Sequence, residues 1–216
     1  MKYALIVFDW DGTLLDSASG IAECIQLAAA DMSLPIPDRE TASHVIGLGL
    51  HDSLRHAVPT LPASGYAAFS EHYRRHFLAR EEAMGLFPGV PELLRALRDQ
   101  GHRLAVATGK SRRGLDRALA ATGLGPLFVA TRCGDETRPK PHPAMLEELL
   151  RELGSEAGSA LMIGDTSHDL LMASNAGVDA VAVASGAHSA ESLRTFSPRA
   201  CLQNVVELPE WLKTPG

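Results

Sequence analysis

The fold class is decided by the stretch YALIVFDWDGT at residues 3–13. Its first six residues form an unbroken apolar run, which is typical of a strand buried on both faces of a parallel sheet. Similar short runs recur along the chain, separated by stretches with helical spacing. They are LAVAT (104–108), LFVAT (127–131), ALMIG (160–164) and VDAVAVA (178–184). This alternation predicts an α/β fold with a parallel sheet.

Residues 16–84 differ from the rest of the chain. They contain no strand-like run, include many alanines and place polar residues at helical periods. The sheet pattern returns after Leu86-Phe87-Pro88-Gly89, where proline and glycine indicate a linker. We therefore expect a helical insert directly after the first strand, with residues 1–15 and 85–216 forming the part that contains the sheet.

Composition and charge exclude several kinds of partner. The chain has 216 residues, with 20 Lys and Arg against 26 Asp and Glu, so its formal net charge is −6. Because it has no run of Lys or Arg, neither nucleic acid nor an anionic membrane is expected as a partner. The first apolar run is too short for a signal peptide, and no segment has the ~20 apolar residues needed to cross a bilayer. We expect a cytoplasmic protein whose three separated cysteines are reduced.

Two acids follow the first strand, at the edge of a parallel sheet where ligands bind. Asp9 and Asp11 project to the same side if the chain is still extended. Neighbouring carboxylates repel each other, so such a pair requires a cation or a shared proton. The alternative is a pair of turn acids beside Gly12, which is less favoured after a fully buried strand.

A hydroxyl and a glycine follow the run at 104–108. Thr108 and Gly109 precede a predicted helix that begins near Arg112. A hydroxyl, a glycine N–H and a helix N-terminus together favour the binding of an anion such as phosphate. Taken alone, Thr108 could equally be a helix cap.

A lysine and two more acids lie at later strand ends. Lys140 is held between two prolines, which limit the backbone and position its ammonium for a phosphate oxygen or a carboxylate. Asp165 follows the run at 160–164, and Asp169 lies one helical turn beyond it. A solvated lysine and a helix-capping Asp169 are the simpler alternatives.

Together these clusters predict a site for phosphoryl transfer. Carboxylates without cysteines suit Mg²⁺, which takes one or two protein carboxylates along with water and phosphate oxygens. One carboxylate can attack phosphorus and form an aspartyl-phosphate. Lys140 and the metal would neutralise the phosphate so that an anionic nucleophile can approach. The expected cofactor is Mg²⁺, and the expected partner is a small phosphorylated metabolite.

Four motifs make the chain resemble the haloacid-dehalogenase-like hydrolase superfamily, and within it the phosphoglycolate-phosphatase-like branch. They are Asp9-Trp10-Asp11-Gly12-Thr13, Thr108, Lys140-Pro141 and Gly164-Asp165-x-x-x-Asp169. The resemblance covers essentially the whole chain. It implies a Rossmann-like parallel-sheet core, residues 1–15 and 85–216, with an inserted α-helical cap domain, residues 16–84. The cap is implied to close over the substrate and exclude water.

The resemblance also implies roles for individual residues. Asp9 would be the nucleophile, and Asp11 the general acid and then the base for the attacking water. Mg²⁺ would be held by Asp9, Asp165 and the main-chain carbonyl of Asp11, with Asp169 near the metal or orienting Lys140. The implied catalytic residues are Asp9, Asp11, Thr108 and Lys140. The implied substrate contacts are Gly12, Thr13, Gly47, Leu48, Gly49, Thr108, Gly109 and Lys140.

The implied activity is hydrolysis of a small phosphomonoester, either phosphoglycolate-like or a sugar phosphate. A phosphomutase uses the same residues and stays an alternative, because cap contacts decide between the two. A protein that binds a phosphometabolite without catalysis is less favoured, since no motif residue is missing. A dinucleotide-dependent oxidoreductase is rejected because Gly47-Leu48-Gly49 lacks a third glycine and lies in the insert. That loop resembles the family's specificity loop, with a plain helix turn as the equal alternative.

Weaker signals lie near the motifs and in the insert. Strand alternation predicts that Trp10 points away from the aspartates. Arg132 and Arg138 flank the lysine motif and could bind a substrate carboxylate, which would favour phosphoglycolate. His72 and His76 have a spacing that zinc can use, but no third ligand accompanies them, so a solvated surface is expected.

Overall fold

The computed structural model describes residues 2–213. Met1 and residues 214–216, which belong to the expected core segments, lie outside the described residues. Within the described range, six parallel strands form one sheet in the order β3-β2-β1-β4-β5-β6, which is the order of the Rossmann fold. The strands are β1 Leu5–Phe8, β2 Arg103–Thr108, β3 Ala130–Cys133, β4 Ala160–Gly164, β5 Asp179–Val183 and β6 Ala200–Leu202.

Helices connect the strands and fill the segment between β1 and β2. Four of them lie in the segment expected to be helical: α1 Ala18–Asp31, α2 Arg39–His44, α3 Leu50–Ala57 and α4 Tyr66–Arg80. The others are α5 Val90–Asp99, α6 Arg112–Thr122, α7 Ala144–Glu152, α8 Ser167–Asn175, α9 Ala190–Arg194 and α10 Leu208–Lys213. No helix among the described residues has the length and apolar character that a membrane span requires.

The expected α/β class is confirmed, with two differences in the strands. The expected run at 127–131 overlaps β3 only in its last two residues, because Gly125–Leu127 forms a tight helical turn that includes Pro126. Strand β6 was not expected. Its three residues, Ala200, Cys201 and Leu202, are apolar but form a run shorter than the roughly four to eight residues by which a buried strand is recognised.

The two faces of the sheet are covered by different helices. Ile6 and Phe8 of β1 pack in one apolar cluster with α5 and α6, while Leu5 and Val7 pack in another with α7 and α8. Trp10 continues the first face, where its ring meets the ring of Phe128 edge-on at 6.2 Å. Asp9 therefore emerges on the opposite side, as strand alternation predicts.

The helices α1 to α4 have an apolar cluster of their own. Several of its buried members are alanines, which allow α1 and α4 to pack closely. The chain enters and leaves this helical segment along one path, since Leu15 pairs with Leu86 in an antiparallel bridge. The Phe87 amide also donates to the Leu14 carbonyl at 3.0 Å. The segment is thus tethered beside the end of β1, where the acids lie.

Candidate active site at the carboxyl edge of the sheet

Asp9 directly follows β1, which lies between β2 and β4 in the sheet. Its amide donates to the Ile163 carbonyl at 2.9 Å, so the ladder with β4 continues to this residue. The side chain is 1% exposed. Its Oδ1 lies 2.8 Å from Lys140 Nζ, whereas Oδ2 has no hydrogen-bond partner among the described residues. Burial raises the pKa of Asp9 to about 7, against the lowering effect of Lys140.

Lys140 is fully buried between two carboxylates. Its Nζ donates to Asp169 Oδ1 at 2.6 Å in addition to its contact with Asp9. Burial alone would lower the pKa of this ammonium, but the charges of Asp169 and Asp9 raise it overall. The lysine therefore stays charged. It does not line the cavity that opens beside Asp9 and Asp11.

Asp165 is held by donors on both carboxylate oxygens. Thr13 Oγ1 donates to Oδ1 at 2.7 Å, and the Ala187 amide donates to Oδ2 at 2.8 Å. Burial, followed by the charge of Asp9, raises the pKa of Asp165 well above its usual value. These two hydrogen bonds fix the orientation of a carboxylate that is costly to keep charged without a cation.

The acids fit a divalent metal. Asp9, Asp165 and Asp169 each offer a carboxylate oxygen, and these three oxygens lie within 4.8 Å of one another. Both oxygens of Asp169 are already engaged, one by Lys140 and the other by the Thr166 amide and hydroxyl that cap α8. The buried carboxylates of Asp9 and Asp165 are the clearest ligands for a cation, and the all-oxygen donor set suits Mg²⁺.

Asp11 faces the same cavity as Asp9 but has different partners. Ser17 Oγ donates to its Oδ1 at 2.8 Å, and Lys110 Nζ lies 3.0 and 2.9 Å from its two oxygens. The Lys110 ammonium also lies 4.8 Å from the centroid of the Phe77 ring, which belongs to α4. The carboxylate of Asp11 is therefore tied to both the sheet edge and the helical segment.

Gly12 and Thr13, which the sequence motifs imply as substrate contacts, lie in the turn after β1 beside Asp165. Their amides donate within the turn, to the carbonyls of Leu15 and Trp10, and neither residue lines the cavity. Gly12 has φ +80°, and a Cβ on it would overlap the carboxylate of Asp165. Both residues therefore support Asp165, and their contact with a substrate stays a prediction.

A cavity of about 510 Å³ opens beside Asp9 and Asp11. The expected residues Thr108 and Gly109 line it, together with the loop Gly47-Leu48-Gly49 between α2 and α3. A Cβ on Gly109 would lie 2.7 Å from the Gly47 carbonyl oxygen, so the loop lies directly against the Thr108 turn. The cavity is thus shared between the sheet edge and the helical segment.

The two arginines proposed to bind a substrate carboxylate lie elsewhere. Arg132 pairs with Glu148 at 2.8 Å and with Glu152, one turn further along α7. Arg138 is exposed, and neither arginine lines the cavity. His72 and His76 lie at a surface, where both contact the carboxylate of Asp31.

Three contacts of the site were not anticipated from the sequence. Ser17 and Lys110 hold Asp11, and the Gly186-Ala187 turn after β5 holds Asp165. Lys110 could have been predicted from the sequence, because this lysine directly follows Thr108-Gly109. The Ala187 contact uses a backbone amide, so no residue type could have revealed it.

Replacing Gly186 with alanine is expected to weaken metal binding. A Cβ at this position would overlap Asp165 Oδ2 and turn the carboxylate away from its present orientation. Loss of such a supporting contact typically costs about 10- to 100-fold in metal affinity. The measurement is the Mg²⁺ concentration that gives half of the Mg²⁺-dependent rise in melting temperature. Gly158→Ala is the control, because a Cβ there meets no atom within 4 Å; equal Mg²⁺ requirements for the two variants would contradict the prediction.

The helical segment also contacts the sheet-containing part of the chain through three histidines, His44, His168 and His188. The Nε2 atoms of His168 and His188 donate to the backbone carbonyl of His44, at 2.7 and 3.2 Å. The rings of His44 and His188 are stacked with their centroids 5.0 Å apart. His188 Nδ1 accepts from the Ser167 amide at 3.0 Å. Burial lowers the pKa of His168 to about 4 and also lowers that of His188, so both rings are neutral.

Comparison with known proteins agrees with this geometry. Residues 6–183 match the family model described as haloacid dehalogenase-like hydrolase. A protein of Dickeya dadantii named "Probable phosphatase IndB" is 36% identical, with 94% of this chain and 91% of that protein covered. A phosphoglycolate phosphatase of Colwellia psychrerythraea is 30% identical, with 94% of both covered. A solved structure from Haemophilus somnus 129PT, described as a predicted phosphoglycolate phosphatase, has a TM-score of 0.86 at 26% identity, covering 99% of both chains. The chain therefore belongs to the haloacid dehalogenase-like hydrolase family, as a phosphoric monoester hydrolase of its phosphoglycolate-phosphatase-like branch.

Proposed function

We propose that this enzyme is a Mg²⁺-dependent phosphatase that hydrolyses a small phosphorylated metabolite through an aspartyl-phosphate on Asp9. One observation carries the proposal. Asp9 is buried at the cavity, its Oδ1 lies against Lys140, and its Oδ2 has no hydrogen-bond partner among the described residues. A carboxylate held on one side with a free oxygen on the other is suited to attack phosphorus.

In the first step Asp9 Oδ2 attacks the phosphorus atom, and the bond from phosphorus to the leaving oxygen breaks. Lys140 offsets negative charge at the Asp9 carboxylate and the phosphate beside it. Asp11 gives a proton to the leaving oxygen, so the product departs as an alcohol. Thr108 and the Gly109 amide, which line the same cavity, hold phosphate oxygens.

In the second step water attacks the phosphorus atom of the aspartyl-phosphate. Asp11 accepts a proton from this water, the bond from phosphorus to Asp9 breaks, and inorganic phosphate leaves. Ser17 and Lys110 keep the Asp11 carboxylate directed into the cavity during both steps. Residues 16–84 act as a cap that excludes bulk water, with the Gly47-Leu48-Gly49 loop as its contact to the phosphate site.

The metal would be held by Asp9 and Asp165, with the main-chain carbonyl of Asp11 as a further ligand. When bound, Mg²⁺ supplies positive charge that polarises the phosphate. Thr13, Gly12 and the Ala187 amide orient Asp165 toward it. Asp169 positions Lys140, since its two oxygens are shared between that lysine and the α8 cap.

Removal of the metal is expected to reduce hydrolysis of a phosphomonoester by roughly 10³-fold, the effect of several kcal/mol of transition-state stabilisation. The assay measures release of inorganic phosphate with Mg²⁺ and with excess chelator. Restoration of the rate by added Mg²⁺ excludes inactivation by the chelator. A phosphatase rate that is the same in both conditions would contradict the proposed metal dependence.

A second readout of the metal does not depend on activity. Mg²⁺ that binds the folded state should raise the melting temperature of the wild type. The Asp165→Asn variant should lose most of this increase, because one of the two carboxylate ligands is then neutral. An equal increase in both proteins would place the metal elsewhere.

A further inference from the structure

The cavity beside Asp9 continues into the helical segment. It has a volume of about 510 Å³, and side chains from α1, α3 and α4 line its far part. Those from α1 and α3 are apolar, except for Ser53, and include Ile21, Ile25, Leu54 and Ala57. Pockets of this size enclose drug-sized ligands. A two-carbon organic group such as that of phosphoglycolate would leave most of the space unfilled.

One wall of the cavity is aromatic. Phe69, Tyr73 and Phe77 lie four residues apart on α4, on the same face of the helix. The rings of Tyr73 and Phe77 are stacked with centroids 5.9 Å apart. Burial raises the pKa of Tyr73 well above its usual value, so the phenol stays neutral. This wall offers an apolar surface for a flat ring.

The two serines of the far part have limited capacity to bind sugar hydroxyls. Ser53 Oγ donates to the Val45 carbonyl at 3.2 Å, and Ser70 Oγ donates to the Tyr66 carbonyl at 2.8 Å. Each hydroxyl has therefore used its single proton on the backbone. Several buried hydroxyls of a sugar would be left without partners, which costs binding free energy.

The arginines that line the cavity either form ion pairs with acids of this chain or are exposed to solvent. Arg117 pairs with Glu81 at 2.8 Å, and Arg74 pairs with Glu71 at 2.6 Å. Arg113 is exposed. None of them is a buried cation directed at a carboxylated substrate. The charge of the cavity is concentrated at the phosphate end, near Lys110 and the acids.

From these observations, and resting on the proposed phosphatase function, we infer that the substrate is a phosphomonoester whose organic group is a largely apolar ring system. The phosphate lies at Asp9, and the ring lies against Phe69, Tyr73 and Phe77. Small carboxylated esters and polyhydroxy sugar phosphates bind less well, because they leave apolar surface uncovered or hydroxyl groups unpaired.

The test compares esters that all release a primary alcohol, so that leaving-group reactivity is similar. They are phosphoglycolate, glucose 6-phosphate, uridine 5′-monophosphate and 2-(1-naphthyl)ethyl phosphate, each assayed with Mg²⁺. We expect kcat/KM for the naphthyl ester to exceed that for phosphoglycolate and for glucose 6-phosphate by at least about 30-fold, from burial of the ring. The uridine ester, with one polar ring, is expected to lie between them.

The outcomes separate the two proposals. Hydrolysis that is equal for all esters, or fastest for phosphoglycolate or the sugar phosphate, overturns the substrate class and leaves the phosphatase intact. Hydrolysis of none of the four with Mg²⁺ counts against the phosphatase itself. The naphthyl preference over both small and polyhydroxy esters supports the inference.

Variants of the aromatic wall test its location. Tyr73→Ser should lower the ratio of kcat/KM for the naphthyl ester to that for phosphoglycolate by about tenfold. Ala57→Leu, which fills the far part of the cavity, should lower the same ratio. A ratio taken within one variant cancels any loss of folded enzyme. Tyr66→Ser is the matched control, since Tyr66 lies on α4 outside the cavity lining; an equal change in that control would overturn the assignment of the wall.

Discussion

Replacement of Asp9 with asparagine is expected to reduce kcat by roughly 10⁴- to 10⁶-fold, the range seen when a nucleophile is removed. The amide cannot attack phosphorus, and it takes away one carboxylate of the proposed metal site. The shape of the side chain is nearly unchanged, and burial of Asp9 is already unfavourable to its charge. The folded state should therefore persist, and a loss of rate would report on chemistry. Steady-state release of inorganic phosphate measures the effect.

A covalent label provides the second measurement for Asp9. After reaction with a phosphate ester labelled at phosphorus and rapid acid quench, the wild type should carry label that is removed by hydroxylamine, as expected of an acyl phosphate. The Asp9→Asn variant should carry none. Asp16→Asn is the matched control, because Asp16 is an exposed acid in the same segment. Retention of the label in the Asp9 variant would assign the nucleophile to another residue.

Replacement of Lys140 with methionine is expected to reduce kcat by roughly 10³-fold and to lower the free energy of unfolding by about 3–5 kcal/mol. The stability loss is the usual cost of removing one partner from a buried ion pair, which here leaves Asp9 and Asp169 without their cation. The activity loss follows from the removal of positive charge beside Asp9, the proposed nucleophile. Urea unfolding in the presence of chelator and steady-state kinetics with Mg²⁺ measure the two effects.

A second substitution separates these two effects of Lys140. The double variant Lys140→Met with Asp169→Asn removes one of the stranded charges, so it should regain part of the lost stability while remaining inactive. Lys213→Met is the control for loss of a lysine, since Lys213 is exposed and its ion pair with Glu210 contributes little. Recovery of activity in the double variant would mean that Lys140 acts only through stability.

The central strands and the acids that follow them could be predicted from residue types alone. Strand β1 is an unbroken apolar run that ends in Asp9, and β4 ends before Asp165 in the same way. Both strands are buried on two faces, so nearly all of their residues are apolar. Such a run is not expected of a segment at the protein surface. Strand β6 could not be found by the same rule, since its run of three apolar residues is too short to be recognised.

The supporting contacts of the site were harder to predict for two physical reasons. The Ala187 amide that binds Asp165 is a backbone group, present in every residue except proline. The ion pairs of Arg132 could not be predicted, because Glu148 and Glu152 lie on a helix whose position relative to β3 is set by tertiary packing. Local sequence identifies the chemical groups of a site, whereas the choice among possible partners depends on distant elements.

The hydrogen bonds from His168 and His188 to the carbonyl of His44 have a consequence for how this molecule tolerates change. The acceptor is a main-chain oxygen, so no side-chain replacement at position 44 deletes it, while replacement of either donor removes its bond outright. Substitution of His44 should consequently be tolerated better than substitution of His168 or His188. His168 directly precedes Asp169, which binds Lys140. A movement of the helical segment that breaks these bonds therefore removes a contact from the residue next to the one that positions Lys140.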